Sequence, residues 1–512
     1  MSEVPGGRKL VFVGFMGAGK STAARLAAQA LGGEAADLDE VVEGRLGKPI
    51  AAVFAEEGET AFRAAEEEAA LELLQAPGPR VLALGGGATG SERVRGALAE
   101  HAVVWLDVDA ETAWARAEGE GRPLASEKAA FARLFAEREP VYAGLADVIV
   151  PGPRRIDMGR LVQALGDLAP GVRMLWAASA GGDYPAYIAR GLLEQRFWPA
   201  GLDGRRFLVT DGRVAALYGD LVEPLAGRVS IMPGEQSKTV AHADIVWTEL
   251  ARAGATRHDL VVALGGGVVG DLAGFCAATY QRGVRWVQVP TTLVAQVDSA
   301  YGGKTGVDLQ EAKNYVGAYH QPSAVVVDPD ALASLPSEEL AAGYAEVVKT
   351  ALIAGGELWR AVSSGVDPTD PDIILACARV KLGIVAQDER DAGVRQVLNL
   401  GHTVGHAIEA VTGYARYRHG EAVGLGLLAA LRLSEQPELR EQVGGLLSAR
   451  GLPIMLDGVD PDAVVMATAR DKKRLGAGAV PFVLLEGPGQ ARVGQQVPER
   501  ALVAAVRELA TE

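Results

Sequence analysis

The sequence predicts an α/β protein of several domains: one built on a parallel sheet, a second α/β domain, and a mostly α-helical third. Three observations lead to this prediction. The chain has 512 residues, more than one ordinary domain. Short apolar strands end repeatedly in glycine-rich turns, and the chain contains 64 glycines. From Ser337 onward, the apolar residues recur with the period of helices.

Composition narrows the class of protein. No apolar run is long enough for a membrane helix, and the N-terminal segment MSEVPGGRKLVFVGF has no long apolar core. The two cysteines, Cys276 and Cys377, form no CxxC pair, which argues against disulfides and thiolate metal sites. The net charge of −15 disfavours nonspecific nucleic-acid binding. We therefore expect a cytoplasmic protein with small-molecule ligands and with neither nucleic acid nor a membrane as partner.

A phosphate-binding loop follows the first predicted strand, Leu10–Val13. The loop reads GFMGAGKS, and an alanine-rich helix follows over Thr22–Leu31. The glycines let backbone N–H groups close around phosphate oxygens, and the helix N-terminus adds positive potential. Lys20 is suited to the β- and γ-phosphates, and Ser21 to Mg²⁺. The predicted ATP-binding residues are Gly14, Gly17, Ala18, Gly19, Lys20, Ser21 and Thr22.

Charged residues near the next predicted strands are candidates for a second substrate. Asp37 and Asp39 follow the second strand, where one carboxylate could hold hydrated Mg²⁺ and the other accept a hydroxyl proton. A bare DxD is equally typical of a solvated loop. Arg63 and Glu66 lie three residues apart on a predicted helix, where a surface ion pair is the alternative.

Residues 8–165 resemble shikimate kinase. The matching segments, in order, are GFMGAGKS, ADLDE, FRAAEEE, LGGGA, GRPLA and REPVYAGLAD. The resemblance implies a P-loop kinase domain with a parallel sheet over residues 1–168, which uses ATP and Mg²⁺ to phosphorylate shikimate. It assigns Ser21 and Asp37 to Mg²⁺, and Lys20, Asp39 and the lid arginine Arg122 to catalysis. The implied shikimate-binding residues are Asp39, Arg63, Gly86, Gly87 and Arg138.

The chain continues with a second alternation of strands and helices after a break at Ala169-Pro-Gly171. Four predicted strands end in polar or glycine turns: Phe207–Thr210, Arg228–Met232, Leu260–Leu264 and Trp286–Val289. This pattern is typical of a parallel sheet that binds its ligand at the carboxyl edge. The turn GGGVVGD permits close approach of a pyrophosphate, but by itself it does not identify a dinucleotide.

Three of the seven histidines fall within Asn399–Glu421. His402 and His406 share one helix face, and His419 follows a break at Gly413-Tyr414. Imidazoles are common ligands of zinc-like ions, and two histidines with a carboxylate leave a coordination position open. A helical histidine pair with a third histidine on a loop is the alternative.

Glu346 and Lys349 share a face of an earlier predicted helix. A surface ion pair is the alternative there, but the neighbours Ala345, Val347 and Val348 are apolar and favour burial.

Residues 175–510 resemble 3-dehydroquinate synthase. The matching runs are ALGGGVVGDLAGF, RGVRWVQVPTTLVAQVDSAYGGKTGV, KNYVGAYHQP, AGYAEVVK, LNLGHTVGHAIE and HGEAVGLG. The resemblance implies an α/β NAD-binding domain over residues 172–335 and a helical metal- and substrate-binding domain over residues 336–512. It also implies NAD⁺, Zn²⁺ or Co²⁺, and a homodimer formed through the synthase.

The resemblance also assigns residues of this chain to the implied ligands. The metal ligands are Glu346, His402 and His419, and the catalytic residues are Asp298, Lys349 and His406. The NAD positions are Asp211, Glu235, Lys238, Gly266, Gly267, Asp271, Thr291, Thr292, Lys304 and Lys313. The substrate positions are Arg282, Asp298, Lys304, Asn314, Lys349, Lys381, Arg395, Asn399, His406 and Lys473. Arg213 stands where the family commonly has asparagine, close to the NAD position Asp211.

The implied reaction converts DAHP, a seven-carbon keto-sugar acid phosphate, into 3-dehydroquinate and phosphate. A metal- and NAD-dependent polyol dehydrogenase is one alternative, and the set of lysines and arginines argues against it. A different sugar-phosphate cyclase is a second, and the presence of both Lys381 and Arg395 favours DAHP instead. A non-catalytic scaffold is a third, and the intact Lys20 and His402 argue against it. We therefore expect a bifunctional enzyme of the shikimate pathway.

Overall fold

The protein is represented by a computed structural model that describes residues 7–118, 127–310, 313–474 and 481–510, with only the backbone described over residues 469–474. The chain divides into two compact units. The first comprises Met1–Ala189, Phe197–Gly204 and Ser323–Val325. The second comprises Arg190–Arg196, Arg205–Pro322 and Val326–Glu512.

The strands of the first unit are β1 Leu10–Val13, β2 Ala35–Asp37, β3 Val81–Ala83, β4 Ala102–Asp107, β5 Val148–Pro151, β6 Arg173–Ala177 and β7 Tyr184–Ile188. They form a sheet in the order β2-β3-β1-β4-β5-β6-β7. All neighbours from β2 to β6 are parallel, and β6 and β7 form an antiparallel pair. The central strands are apolar and buried on both faces, as expected when helices cover a parallel sheet.

The helices of the first unit are α1 Lys20–Leu31, α2 Leu38–Leu46, α3 Ile50–Glu56, α4 Gly58–Gln75, α5 Glu92–Leu98, α6 Ala110–Ala117, α7 Lys128–Leu145 and α8 Met158–Ala164. Local capping residues explain several of their starts. The side chains of Asp37, Ser91, Asp109 and Asp157 each accept a backbone N–H in the first turn of a helix.

The strands that follow are β8 Arg206–Asp211, β9 Gly227–Ile231, β10 Leu260–Gly265, β11 Arg285–Pro290, β12 Lys304–Val307, β13 Val316–Tyr319, β14 Ala324–Val327, β15 Phe482–Leu485 and β16 Ala491–Gln495. In the second unit, β11, β10, β8 and β9 lie side by side and run parallel. Two antiparallel pairs, β12 with β13 and β15 with β16, complete its strands.

The helices of the second unit are α9 Gly212–Tyr218, α10 Val240–Arg252, α11 Gly267–Thr279, α12 Ser337–Ala354, α13 Gly356–Ser363, α14 Pro371–Gln387, α15 His402–Val411, α16 His419–Leu433, α17 Pro437–Ala449, α18 Pro461–Arg474 and α19 Glu499–Arg507. The core beside the sheet contains Phe207 of β8 and Trp286 of β11, together with Val246 of α10 and Phe275 of α11. Each fully buried side chain of this size stabilises the fold by roughly 1.5–3 kcal/mol. Among the described residues, no helix combines the length and the apolar character needed to cross a membrane.

The structure confirms the predicted α/β class, with a parallel sheet after the phosphate-binding loop and a helical C-terminal part. Asp37 ends β2, as predicted, and Asp39 follows in the first turn of α2, which Asp37 caps. One local expectation is wrong: the apolar period predicts a helix over Ile373–Arg390, but α14 ends at Gln387, so Asp388–Arg390 lie beyond it.

The division into units does not follow the predicted domain ranges. Strand β6 pairs with β5, with Val148 opposite Met174, and β7 then pairs with β6. The first compact unit therefore extends to Ala189. The ranges 1–168, 172–335 and 336–512 stay a proposal about how the chain is divided by function.

Candidate active sites

The phosphate-binding loop lies between β1 and α1 and is shaped by glycine. Gly17 has a φ of 75°, and a Cβ there would stand 2.6 Å from the carbonyl oxygen of Ala113. No other residue fits this position without strain. Lys20 opens α1 and donates from Nζ to the carbonyl oxygen of Phe15 at 3.1 Å, which holds the ammonium against the loop.

The loop also has a contact that the sequence analysis did not identify. Arg116, on α6, donates to the carbonyl oxygen of Gly17 at 3.3 Å. It follows no recognisable motif and reaches the loop only through the fold. The predicted lid arginine, Arg122, lies outside the described residues.

Two carboxylates flank the glycine turn that follows β3. A Cβ on Gly85 would lie 2.7 Å from Oδ1 of Asp39 and 2.6 Å from Oε1 of Glu66. Asp37 is placed beside them, where its Oδ1 accepts the backbone N–H of Asp39 at 3.0 Å. The DxD therefore belongs to a structured site, not to a solvated loop.

Two arginines face the same turn. The guanidinium of Arg63 lies against Gly87, where a Cβ would be only 1.8 Å from Nη1. Arg138 donates to the carbonyl oxygen of Gly86 at 3.0 Å, and so does the hydroxyl of Tyr142 at 2.6 Å. The structure thus brings the predicted set Asp39, Arg63, Gly86, Gly87 and Arg138 together. Tyr142 was not predicted to contribute.

The ion pair between Arg63 and Glu66 is not a surface pair. Its N–O distance is 2.5 Å, and Glu66 is only 2% exposed. Burial raises the pKa of Glu66, and the Arg63 guanidinium opposes that rise. Because breaking a buried pair leaves an uncompensated charge, this pair fixes the position of the guanidinium.

In the second unit, the carboxyl ends of the parallel strands carry the residues predicted to bind NAD. Asp211 ends β8 and caps α9, accepting the backbone N–H groups of Arg213 and Val214 at 2.9 Å each. The side chain of Arg213 donates to the carbonyl oxygen of Ser334 at 2.8 Å. Arg213, which stands where the family commonly has asparagine, therefore leaves the capping of α9 by Asp211 intact.

A glycine cradle lies between β10 and α11. A Cβ on Gly266 would stand 2.8 Å from Cγ2 of Thr292, and one on Gly267 would stand 3.1 Å from Oγ of Ser299. Among the described residues, the buried Oγ atoms of Thr291 and Ser299 have no hydrogen-bond partner. Buried polar atoms without a partner are costly, so these hydroxyls indicate a ligand.

Charged residues close around this cradle. Nζ of Lys238 lies 2.5 Å from a carboxylate oxygen of Asp271 and 2.5 Å from Oδ1 of Asn314. Lys313 lies 3.4 Å from Glu235. These residues, predicted from two separate segments, therefore do meet in space.

Glu346, His402 and His419 form a cluster suited to a metal ion. Their ligand atoms all lie within 4.8 Å of one another. Oε1 of Glu346 is 3.6 Å from Nε2 of His402 and 3.5 Å from Nε2 of His419. Glu346 is 1% exposed, and its Oε2 is in ion-pair contact with Lys349. This geometry supports the metal interpretation over a histidine pair with an unrelated third histidine.

Hydrogen bonds on the far side of both imidazoles turn their Nε2 atoms toward Glu346. Nδ1 of His402 lies 3.2 Å from the carbonyl oxygen of Leu400, and Nδ1 of His419 lies 3.3 Å from Oε2 of Glu409. Such contacts fix the tautomer of a metal-binding histidine. The sequence analysis missed Glu409, although its position seven residues after His402 places it on the same helix face.

The electrostatics of the cluster agree with a cation site. Burial and the nearby Lys349 ammonium lower the pKa of His402 to about 3, which keeps its imidazole neutral. Burial opposes a charge on His419, but Glu346 and Glu409 raise its pKa to about 10. Lys349 and the histidines outweigh burial and hold the pKa of Glu346 well below its ordinary value. The carboxylates thus favour positive charge at this point.

Two buried lysines and a half-buried carboxylate adjoin the cluster. Lys349 is in ion-pair contact with Glu346, and Asp298 lies 3.8 Å from Lys349 and 2.8 Å from Lys381. Both lysines are buried, so the surface-pair alternative for Glu346 and Lys349 is wrong. Burial lowers the pKa of Lys381, while Asp298 opposes that shift. His406 is exposed, with its ring centroid 5.2 Å from that of His402.

The remaining substrate candidates have varied surroundings. Arg395 is buried, and its guanidinium donates to the backbone oxygens of Glu389 and Gly302. Nζ of Lys304 lies 2.5 Å from Asp391. Arg282 and Asn399 are exposed. The side chain of Lys473 lies outside the described part of the chain. Their roles stay predictions.

Comparison with known families matches both parts of the chain. The family model of shikimate kinase matches residues 16–164. The models of the N-terminal and C-terminal parts of 3-dehydroquinate synthase match residues 228–342 and 343–474. Each candidate site lies within the residues matched by its own family, apart from a few residues at the edges.

Individual relatives agree with the match to 3-dehydroquinate synthase. The chain is 43% identical over 346 residues to a 3-dehydroquinate synthase of Symbiobacterium thermophilum, covering 62% of this chain and 96% of that protein. A 2-epi-5-epi-valiolone synthase structure from Streptomyces hygroscopicus, with NAD⁺ and Zn²⁺ bound, is 26% identical with a TM-score of 0.58, covering 64% of this chain and 96% of that one. A 2-deoxy-scyllo-inosose synthase structure shares the fold at 24% identity and a TM-score of 0.58, covering 65% and 99%.

Proposed function

We propose that this chain performs two reactions at two separate centres. It belongs to the 3-dehydroquinate synthase family and carries a shikimate kinase domain ahead of its synthase. One reaction phosphorylates shikimate with ATP, and the other converts DAHP to 3-dehydroquinate and phosphate. The chain is thus a kinase and a lyase of the shikimate pathway. The observation that carries the proposal of two centres is that each unit assembles a separate set of interacting residues.

In the kinase, the glycine loop and Lys20 hold the phosphates of ATP through backbone N–H groups and one ammonium charge. Asp39 orients the attacking hydroxyl of shikimate and accepts its proton. Arg63 and Arg138 bind the shikimate carboxylate, for which a planar guanidinium is well suited. The ion pair of Arg63 with buried Glu66 supports this role, because it orders the guanidinium before substrate arrives.

The kinase site also fits Mg²⁺, which prefers oxygen ligands. Ser21 lies in the first turn of α1 and Asp37 ends β2, so both offer oxygen atoms near the phosphate loop. When bound with ATP, Mg²⁺ would neutralise phosphate charge.

In the synthase, the residues fit a zinc-like ion held by Glu346, His402 and His419. The support is the convergence of their ligand atoms within 4.8 Å of one another and the neutral imidazole of His402. Zn²⁺ and Co²⁺ both suit two histidines and a carboxylate. When bound, the ion would supply Lewis-acid polarisation of substrate oxygens.

The glycine cradle fits NAD⁺. Gly266 and Gly267 leave room that a side chain would fill, and the unpartnered hydroxyl of Thr291 is available to a ligand. The start of α11 adds positive potential for a pyrophosphate. NAD⁺, when bound, would supply reversible acceptance of hydride from the substrate.

The side chains around the metal cluster bind and orient an anionic substrate. Lys349 and Lys381 supply buried positive charge for the carboxylate and phosphate of DAHP, and Asp298 holds both lysines in place. His406 is exposed beside the cluster, where it can relay a proton. Identity of 43% to a 3-dehydroquinate synthase supports DAHP over the substrates of the solved cyclases, which are 24% and 26% identical.

Removal of transition metals separates the two activities. After dialysis of the full chain against EDTA, Mg²⁺ alone should restore phosphorylation of shikimate. Release of phosphate from DAHP should return only when Zn²⁺ or Co²⁺ is added, because the Glu346 cluster needs such an ion. ADP formation and phosphate release are measured on the same sample. Full synthase activity with Mg²⁺ alone would contradict the metal assignment.

Gly87→Ala tests the position of Arg63. The new Cβ would lie 1.8 Å from Nη1, so the guanidinium must move away from the turn. We expect the KM for shikimate to rise about 10-fold or more, since a misplaced charged hydrogen bond costs roughly 1.5–3 kcal/mol. Gly90→Ala is the matched control, because a Cβ there would have no atom within 4 Å. An unchanged KM in Gly87→Ala would place the shikimate carboxylate elsewhere.

We also propose a cytoplasmic homodimer. Cys276 and Cys377 are buried free thiols, which supports a reducing compartment. The family resemblance supports the dimer. Light scattering of the purified chain measures its mass, and a mass of one chain, 53.3 kDa, would contradict the dimer.

A further inference from the structure

Glu409 is a buried carboxylate that the proposed mechanism does not use. It lies on α15, the helix that carries His402 and His406, and is 3% exposed. Its Oε2 lies 3.3 Å from Nδ1 of His419, and its Oε1 lies 3.3 Å from Nζ of Lys313. Each oxygen thus has a charged or polar partner. In Glu346, by contrast, Oε1 faces Nε2 of both His402 and His419.

His419 depends on this contact for its orientation. Its side chain is 40% exposed, and its ring contacts are with the imidazoles of His402 and His406. With Nδ1 against Glu409, Nε2 of the ring faces Glu346, 3.5 Å away. An imidazole without that acceptor can rotate or change tautomer, and either change removes Nε2 from the cluster.

Lys313 extends the same chain of contacts. It lies between the carboxylates of Glu409 and Glu235, at 3.3 and 3.4 Å, and 4.4 Å from the ring centroid of Tyr414. Its ammonium therefore compensates the buried charge of Glu409 and holds Oε1, which leaves Oε2 for His419.

We infer that Glu409 is a positioning residue of the metal centre: it orients His419 for the metal, and Lys313 holds Glu409 in place. The inference rests on the proposed metal set of Glu346, His402 and His419. A rival role is direct ligation, because Glu409, His406 and His419 also have ligand atoms within 4.8 Å of one another. The partners already present on both oxygens of Glu409, together with the exposure of His406, favour positioning.

The test is a Co²⁺ titration of the full-length, metal-free chain, followed by the visible absorption of the bound ion. Glu409→Gln should weaken Co²⁺ binding by about 10- to 100-fold, the usual effect of losing such a support. At saturation, the band positions and intensities should equal those of the unsubstituted chain, because the ligands are the same. Glu389→Gln is the matched control: that carboxylate is also buried, but its partner is Gln321, and its Co²⁺ affinity should not change.

A double variant tests the role of Lys313 and guards against misfolding. Glu409→Gln removes one of the two carboxylates beside Lys313. Lys313→Gln then removes the ammonium charge that this carboxylate had compensated. Because Lys313 acts through Glu409, the double variant should bind Co²⁺ no more weakly than Glu409→Gln alone. If the double variant binds Co²⁺ more weakly than Glu409→Gln does, Lys313 acts by another route and this part of the inference is wrong.

The outcomes separate the inference from the function on which it rests. If the unsubstituted chain binds no Co²⁺, the proposed metal set is wrong, and the inference is lost with it. If that chain binds Co²⁺ and Glu409→Gln binds it equally well, only the inference is wrong. Altered band intensities at saturation in Glu409→Gln would make Glu409 a ligand and overturn the positioning role.

Discussion

Lys20→Ala should abolish measurable phosphorylation of shikimate while phosphate release from DAHP continues at its full rate. Lys20 opens α1 behind the phosphate loop, and its Nζ is held by the carbonyl oxygen of Phe15. Loss of one preorganised positive group at a phosphoryl transfer site lowers kcat by about 10²- to 10³-fold or more. The synthase residues lie in the other compact unit, so their reaction should be unaffected.

Lys48→Ala is the control for the loss of a lysine in the same unit. Lys48 forms ion pairs with Glu56 and Glu57 rather than with the phosphate loop. Exposed pairs of this kind contribute little to stability, so both activities should persist. ADP formation with shikimate and phosphate release from DAHP are recorded for each protein. If Lys20→Ala loses both activities while it stays folded by circular dichroism, the two centres are not independent.

His419→Ala should have the opposite effect: loss of the synthase reaction with the kinase unchanged. The substitution removes one of the three proposed ligands and leaves a two-residue site. We expect metal affinity to fall by more than about 100-fold, since even the loss of a supporting residue costs 10- to 100-fold. His419 is substituted rather than Glu346 because Glu346 forms a buried ion pair with Lys349. Breaking such a pair by removing one partner destabilises a protein by about 3–5 kcal/mol.

The measurements for His419→Ala are bound zinc in the purified protein and phosphate release from DAHP. His258→Ala is the matched control, because His258 is an exposed histidine of the same unit. It should keep both metal and activity. Undiminished zinc in His419→Ala would remove His419 from the ligand set.

The sequence predicted the parts of the fold that depend on local patterns. Short apolar strands before glycine turns, such as Leu10–Val13, are confirmed because a buried parallel strand needs an apolar run and a tight exit. The helix that carries His402 and His406 is confirmed for a similar reason. The pairing of β6 with β5 was not predicted, because strand pairing between distant segments leaves no local pattern.

The candidate sites were predictable where one motif carries the chemistry, and less so where contacts come from distant residues. The phosphate loop follows from its motif, and the proposed ligand set of Glu346, His402 and His419 follows from the resemblance to 3-dehydroquinate synthase. The role of Glu409 depends on a histidine ten residues later and on Lys313, 96 positions earlier. Likewise, the contact of Arg116 with Gly17 exists only because α6 packs beside the loop.

The central claim is that one chain holds two centres that work independently. The most direct measurement records both reactions on one purified preparation of the full chain and on its Lys20→Ala and His419→Ala variants. We predict both activities in the unsubstituted chain, only phosphate release from DAHP in Lys20→Ala, and only phosphorylation of shikimate in His419→Ala. Loss of both activities in either variant that remains folded, or a chain with one activity only, would contradict the claim.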